Sequence, residues 1–390
     1  MNLSSSGNQF LTQRVKINPM AKDPIYLDNQ ATTPLAPEVF DVMVPWLRDN
    51  FGNPHSAHIL GRKAAAAVEV ARDQVAALLP VSGKILFTGS ATEAINLGFG
   101  AAHALQAAGR NKIIILESEH AAVRDTALSY EKHGFMVEKH PIGPDGIVSL
   151  EQLSASIDDK TALVAAMLVN NEIGVIQPIE AIANLAHANG ALMLCDVVQG
   201  YGRVDIPDNI DMAAISGHKI YGPKAIGALW VRDGITLPPM IHGGGQEQGI
   251  RSGTLSPALC AGFGHAAMLC QERRDSDAGH IQLLAEKAQS CFADWTINGC
   301  IDHRYMGNLN IRQDGVDVAR LMSDVRNVAF SAGSACASGS GRPSHVLAAL
   351  GLGPAQIKSS IRLGFGRYNS LEDVELASQY INEAVGVQFA

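Results

Sequence analysis

The sequence predicts an α/β protein with a mostly parallel central sheet flanked by helices, followed by a smaller α+β unit. Three observations carry this. Short apolar, β-rich runs alternate with helical patterns between residues 85 and 231, the arrangement that builds a parallel sheet with helices on both faces. Residues 162–169 are apolar without a break, as a strand buried on both faces must be. The chain has 390 residues, 47% apolar and 17% charged, which suits one large core with a smaller one beside it and not a disordered chain.

The elements follow in order. Strands are expected at 85–88, 113–116, 162–169, 191–195, 212–215 and 227–231. Helices are expected at 92–107, 123–133 and 179–189, the last stopped by Gly190. Upstream, Ala64, Val68, Ala71, Val75 and Leu78 recur at helical spacing, and Pro80 ends that helix. After about Leu255 the pattern changes. A helical stretch runs to about Cys291, with strands near 307–311, 328–330 and 361–364, a Gly/Ser-rich loop at 331–341, and a last helix from about Leu371. We expect a large unit at 36–255 and a smaller one made of 1–35 and 256–390. There is neither an internal repeat nor a low-complexity linker, so the two should pack directly.

The net charge of −8 argues against a broad nucleic-acid surface, which needs a Lys/Arg-rich face. No run reaches about 18 apolar residues, so no membrane span is expected. The cysteines at 195, 260, 270, 291, 300 and 336 form no C-x-x-C pair, which suggests neither a zinc knuckle nor a thioredoxin-like site. In a chain this large they read as reduced thiols in the cytoplasm. Residues 1–22 carry Ser4, Ser5, Ser6, Arg14, Lys16 and Lys22, with no acidic residue and no apolar signal core. Their composition would also suit a transit segment, but they read rather as a frayed tail, or as an upstream start with Met20 the initiator.

Ligands of such sheets bind at the carboxyl ends of strands, and the chemistry-bearing residues gather there. Lys219, in Ser216-Gly217-His218-Lys219, follows the 212–215 strand. A charged lysine is costly to bury there, but desolvation frees its amine for a Schiff base. Taken alone, it is equally a surface lysine on a loop. Asp196 ends the 191–195 strand, with Gln199 close behind. A buried carboxylate needs a cation, and a protonated pyridine nitrogen is one. A loop cap or an arginine partner would also account for it. Gly89-Ser90-Ala91-Thr92-Glu93 joins a strand to a helix. Small residues there expose N–H groups that hold a phosphate, though an ordinary N-cap looks the same. Together a phosphate cradle, an acid for a ring nitrogen and a lysine for an aldehyde are the three handles of pyridoxal phosphate. His120 and Asn171 also stand just beyond strand ends. His120 could stack on a ring and exchange protons near neutral pH, and Asn171 could bond the ring oxygen or the substrate.

Further motifs stand in order: Tyr26 to Pro34 (YLDNQATTP), Phe51 to Ser56 (FGNPHS), Ser118-Glu119-His120, Val169 to Gly174 (VNNEIG), Ser216 to Gly222 (SGHKIYG), His242 to Glu247 (HGGGQE), Arg251 to Thr254 (RSGT) and Ser334-Ala335-Cys336. With them the chain resembles the class V aminotransferase-fold enzymes, and among these the cysteine desulfurases of the housekeeping and nitrogenase-associated type. The resemblance runs from about residue 25 to 370. It implies that Lys219 carries pyridoxal 5'-phosphate and moves the substrate α-proton. Ala91, Thr92, Ser216 and His218 would hold the phosphate, and Thr254 would reach the phosphate of a neighbouring subunit in a homodimer. Asp196 would bond the ring nitrogen, Gln199 the ring hydroxyl, and His120 would stack on the ring. Arg362 would clamp the carboxylate of L-cysteine, with Asn171 beside it. Cys336 would take the sulfur as a persulfide for a protein acceptor such as an iron–sulfur scaffold.

The cysteine also has a case of its own. A thiol that must become a thiolate and reach a substrate sulfur needs access, and the loop of small residues around Cys336 is a poor place to bury one. A selenocysteine lyase or other β-lyase of the same fold would need no such thiol. A non-catalytic scaffold would need neither Lys219 nor Asp196. Two departures stand out: Val197 and Val198 follow Asp196 where relatives carry small or hydroxylated residues, and the chain stops at Ala390, where housekeeping relatives often continue into a scaffold-docking tail.

Overall fold

The computed structural model describes residues 24–333 and 343–390. Seven strands form the central sheet, in the order Gly83–Thr88, Gly227–Arg232, Met212–Ser216, Leu192–Asp196, Thr161–Met167, Lys112–Leu116 and Met136–His140. Every pair from Met212–Ser216 onward is parallel. Only Gly227–Arg232 runs against both its neighbours. Two antiparallel steps restore the direction, so Thr88, Leu116, Met167, Asp196 and Ser216 all end at one edge of the sheet.

The reason lies in the side chains. Residues of Lys112–Leu116, Thr161–Met167 and Met212–Ser216 are buried throughout. Alternate residues of these strands feed two apolar clusters. Ile114, Val164, Ala213 and Ile215 lie in one cluster, and Ile113, Leu163, Ala165, Met212 and Ala214 in the other. A sheet covered on both faces has no polar surface to spare, so its polar side chains collect where strands end.

Several details differ from the sequence reading. The helix expected over 92–107 breaks at Gly100 into Ala91–Phe99 and Ala101–Gln106. The strand Met136–His140 was not expected, because its mixed sequence suits a sheet edge more than the buried middle. The helical stretch before Cys291 is two helices, Pro257–Glu272 and Arg274–Cys291, parted at Arg273. The first packs on Pro37–Arg48 and Ile59–Ala76, and its Cys260, Phe263 and Ala266 belong to the cluster under the central sheet. A third cluster joins Leu284, Leu309, Ile361, Leu363, Val374 and Ile381 beneath a four-stranded sheet, and takes in Leu27 from near the amino terminus.

One buried pair ties the large unit together near the site. Glu247 is 7% exposed. Its carboxylate accepts both Nη atoms of Arg72 at 2.8 Å and the Phe87 N–H at 2.7 Å. Removing one member of such a pair strands the other. Glu247→Ala should therefore cost about 3 kcal/mol of unfolding free energy, read by urea denaturation.

Candidate active site

A cavity of about 360 Å³ opens at the carboxyl edge of the central sheet. Lys219, His120, Asp196, Gln199, Ser216, His218, Ala91, Thr92, Asn171 and Arg362 all line it. Thr254 does not; it is exposed on the surface. Cys336 lies outside the described residues.

The Ala91–Phe99 helix supplies one wall. Ser90 caps it, its hydroxyl accepting from the Glu93 N–H at 3.2 Å. Glu93 reaches back to the Gly89 N–H at 2.7 Å and is itself held by Arg251 at 2.7 Å. The first N–H groups of the helix, at Ala91 and Thr92, have no carbonyl one turn back to accept them. They face an anion with the favourable end of the helix dipole. The opposing backbone is Gly227, where an added Cβ would lie 2.6 Å from the Ser90 carbonyl carbon and 2.8 Å from Ala91 N. The cradle exists because that strand begins with glycine.

Lys219 sits in a single turn that follows the Met212–Ser216 strand. Its Nζ donates to the carbonyls of Gln30 and Ala31 at 2.6 and 2.7 Å, so the amine is steered by the amino-terminal motif. Tyr221 holds a left-handed φ of 65° just beyond, with its N–H on Thr33 Oγ1 at 2.7 Å. His218 Nδ1 meets Thr32 Oγ1 at 3.0 Å. Burial, aided by Lys219 and Lys224, pulls its pKa down to about 4, so the ring is neutral at pH 7 and donates from one nitrogen only.

Asp196 is 7% exposed, and Val198 N–H donates to it at 3.0 Å. Burial raises its pKa, opposed by the positive potential of His120 and Lys219. Gln199 donates from Nε2 to the Gln30 carbonyl at 2.9 Å, while its Oε1 accepts from Arg203 at 3.0 Å. That second bond fixes the amide with Nε2 as its donor end. His120 caps the helix Ala121–Tyr130, Nδ1 accepting the Ala122 N–H at 3.1 Å. A ring nitrogen that accepts carries no proton, so the neutral tautomer has its proton on Nε2.

Arg362 is 1% exposed. Asp28 Oδ1 holds its Nη2 at 2.7 Å and the Asn171 carbonyl its Nη1 at 2.8 Å, while Nε is buried with no partner among the described residues. The guanidinium is thus anchored from behind, with donor capacity left for a carboxylate.

The aminotransferase class-V model matches residues 25–376. The chain belongs to the aminotransferase class-V family. Within the family it stands with the cysteine desulfurases. It is 42% identical to the cysteine desulfurase IscS of Rickettsia akari (strain Hartford), over 92% of this chain and 90% of that one. A solved NifS-like protein superposes with a TM-score of 0.87 at 31% identity, covering 93% of this chain and all of the other. A structure titled as SspA in complex with cysteine gives 0.78 at 35% identity, with 88% and 99% covered.

Class-V desulfurases depend on pyridoxal phosphate, and the residues here fit that group. The helix start opposite Gly227 suits its phosphate, and the cavity-lining carboxylate of Asp196 suits a cationic ring nitrogen. When bound, the cofactor supplies an electron sink for charge developing at the substrate α-carbon. The sequence reading missed three residues that hold this class-V site in shape. Asp28 lay in a quoted motif with no role given to it. Arg203 acts through Gln199 and has no motif of its own. Gly227 shows its purpose only when two segments meet.

Two tests follow. Gly227→Ala should displace the Ser90–Ala91 turn and lower cofactor occupancy, read as a loss of visible absorbance per chain. The second concerns Glu172, buried beside the site at 3% exposure and bonded to Ser344 Oγ at 2.5 Å. Burial pushes its pKa up from 4.5 to about 7. The native chain then binds more protons than the unfolded one between those values. This group's contribution is complete below pH 4.5 and is lost as pH rises through about 7. Denaturation of Glu172→Gln from pH 5 to 8 should lack that part of the slope.

Proposed function

We propose that this chain takes sulfur from L-cysteine, releases L-alanine and keeps the sulfur on Cys336 as a persulfide. The observation that carries the reading is the gathering of Lys219, Asp196, His120 and Arg362 around one cavity. Arg362 and Asn171 would hold the substrate carboxylate, with Asp28 keeping the guanidinium aimed. Lys219 Nζ takes and returns the α-proton, its position set by the Gln30 and Ala31 carbonyls. His120, with its proton on Nε2, offers a stacking face and an acid on the substrate side. Asp196 remains ionised opposite a positive ring nitrogen. Ala91, Thr92, Ser216 and His218 hold the phosphate, and Gln199 donates to the ring oxygen. The substrate C–S bond breaks as its sulfur joins the Cys336 sulfur, and the carbon that loses sulfur gains a proton.

A homodimer is part of the proposal. Phe40, Leu47, Phe51 and Ile59 are 51 to 83% exposed on neighbouring stretches of chain, and large apolar side chains left in water favour burial against a second copy. Thr254 is exposed and so can reach a second copy. The persulfide would pass to an acceptor protein such as an iron–sulfur scaffold. We place the enzyme in the cytoplasm: among the described residues no helix is long and apolar enough to cross a membrane, and the five described cysteines are free thiols. The division into a large unit at 36–255 and a smaller one of 1–35 and 256–390 is part of the proposal, except that the Pro257–Glu272 helix packs on Pro37–Arg48 and Ile59–Ala76 and joins the large unit.

The test is alanine and sulfide release from L-cysteine with a reductant present. The native chain should give equal amounts of both. Cys336→Ala should stay coloured and fall at least about a hundredfold in rate, while Lys219→Ala loses both colour and turnover. Full activity in Cys336→Ala would assign a direct lyase instead.

A further inference from the structure

A second cavity, of about 220 Å³, opens where residues 202–204, the helix Arg274–Cys291 and residues 304–306 meet. Arg203, Arg274 and Arg304 share its wall with Asp277, Ile281 and Tyr305. Its charges do not balance. Arg274 pairs with Asp205 and Asp277 with Arg367, each at 2.7 Å. Among the described residues no carboxylate lies within 4.0 Å of Arg203 or Arg304. Arg203 lies over the Tyr305 ring at 5.1 Å and gives its Nη atoms to Gln199 and the Lys219 carbonyl.

Arg304 is the less compensated of the two. It is 7% exposed, its Nη2 bonds the carbonyls of Ile173 and Asn298, and its Nε and Nη1 are buried with no partner among the described residues. Burial lowers its pKa to about 10. A guanidinium buried without a counter-charge is costly and is ordinarily offset by an anion.

We propose that this cavity binds a small carboxylate, held by Arg304 and Arg203 with a short apolar tail against Val204, Ile281 and Met306. The planar fork of arginine suits a carboxylate, the apolar lining suits a carbon chain, and about 220 Å³ leaves ample room for a short-chain acid. The site is separate from the catalytic cavity but touches it, because Arg203 bonds Gln199 Oε1 and the carbonyl of Lys219. A bound anion would brace Arg203 in those bonds.

The experiment is calorimetric titration of the cofactor-loaded enzyme with butyrate, with butanol as its uncharged match and inorganic phosphate as a bare oxyanion. Butyrate should bind and butanol should not. Arg304→Gln should weaken butyrate about tenfold or more, the loss expected for a hydrogen-bonded charge. Ala278→Trp, at an exposed position on the cavity wall, fills the space with every arginine in place and should abolish binding. This second variant decides the matter if Arg304→Gln fails to fold. Butyrate binding that survives Ala278→Trp belongs to the catalytic cavity and overturns the proposal. Equal binding of butanol overturns it too, as does binding of phosphate alone.

Discussion

The rest of this structure depends on a sheet that is dry on both faces. Strands such as Thr161–Met167 and Met212–Ser216 are buried at every position, so helices must cover them above and below. Polar side chains are then tolerated only where strands stop. Asp196, Ser216 and the turns carrying Lys219 and His120 are all placed by that single requirement. The reversed strand Gly227–Arg232 serves it as well, bringing a glycine rather than a loop to the rim where the anion cradle must form.

Dry surroundings raise the cost of every charge, and the site uses this. Asp196 and Glu172 are carboxyls whose pKa values burial pushes upward. Burial likewise pushes Glu119, 0% exposed, well above its ordinary value, its Oε1 accepting the Met167 N–H at 2.8 Å. Arg362 is treated differently. Asp28 compensates it directly at 2.7 Å, deep in a site where it is 1% exposed.

Much of this was legible in the residues. Continuous apolar runs announced the buried strands, and Lys219, Asp196 and the Ser90 turn were readable because each stands at a strand end. Other parts were hidden for physical reasons. The Met136–His140 strand lies at the sheet edge, where mixed polarity is permitted and periodicity fails. The breaks at Gly100 and Arg273 depend on packing that a helical pattern does not record. Asp28, Arg203 and Gly227 act across long sequence separations, so no local spacing marks them. Thr254 is exposed in a single chain, and its expected role requires a second copy.

The anchoring of Arg362 by Asp28 has a consequence for how the molecule comes into being. The two residues are 334 positions apart, and the Ile25–Tyr26 strand pairs with Val328–Ala329 in the same region. Gln30 and Ala31, which steer the Lys219 amine, lie on that segment. The amino-terminal segment is made first, meets Gln199, His218, Lys219 and Tyr221 after about half of the chain, and meets Val328–Ala329 and Arg362 only far later. Contacts of such separation form late and slowly. All seven strands of the central sheet and most of the pocket lining lie before residue 233, and Arg362 is the late addition. The Arg362–Asp28 clamp is therefore the part of the site whose two halves are furthest apart in the chain.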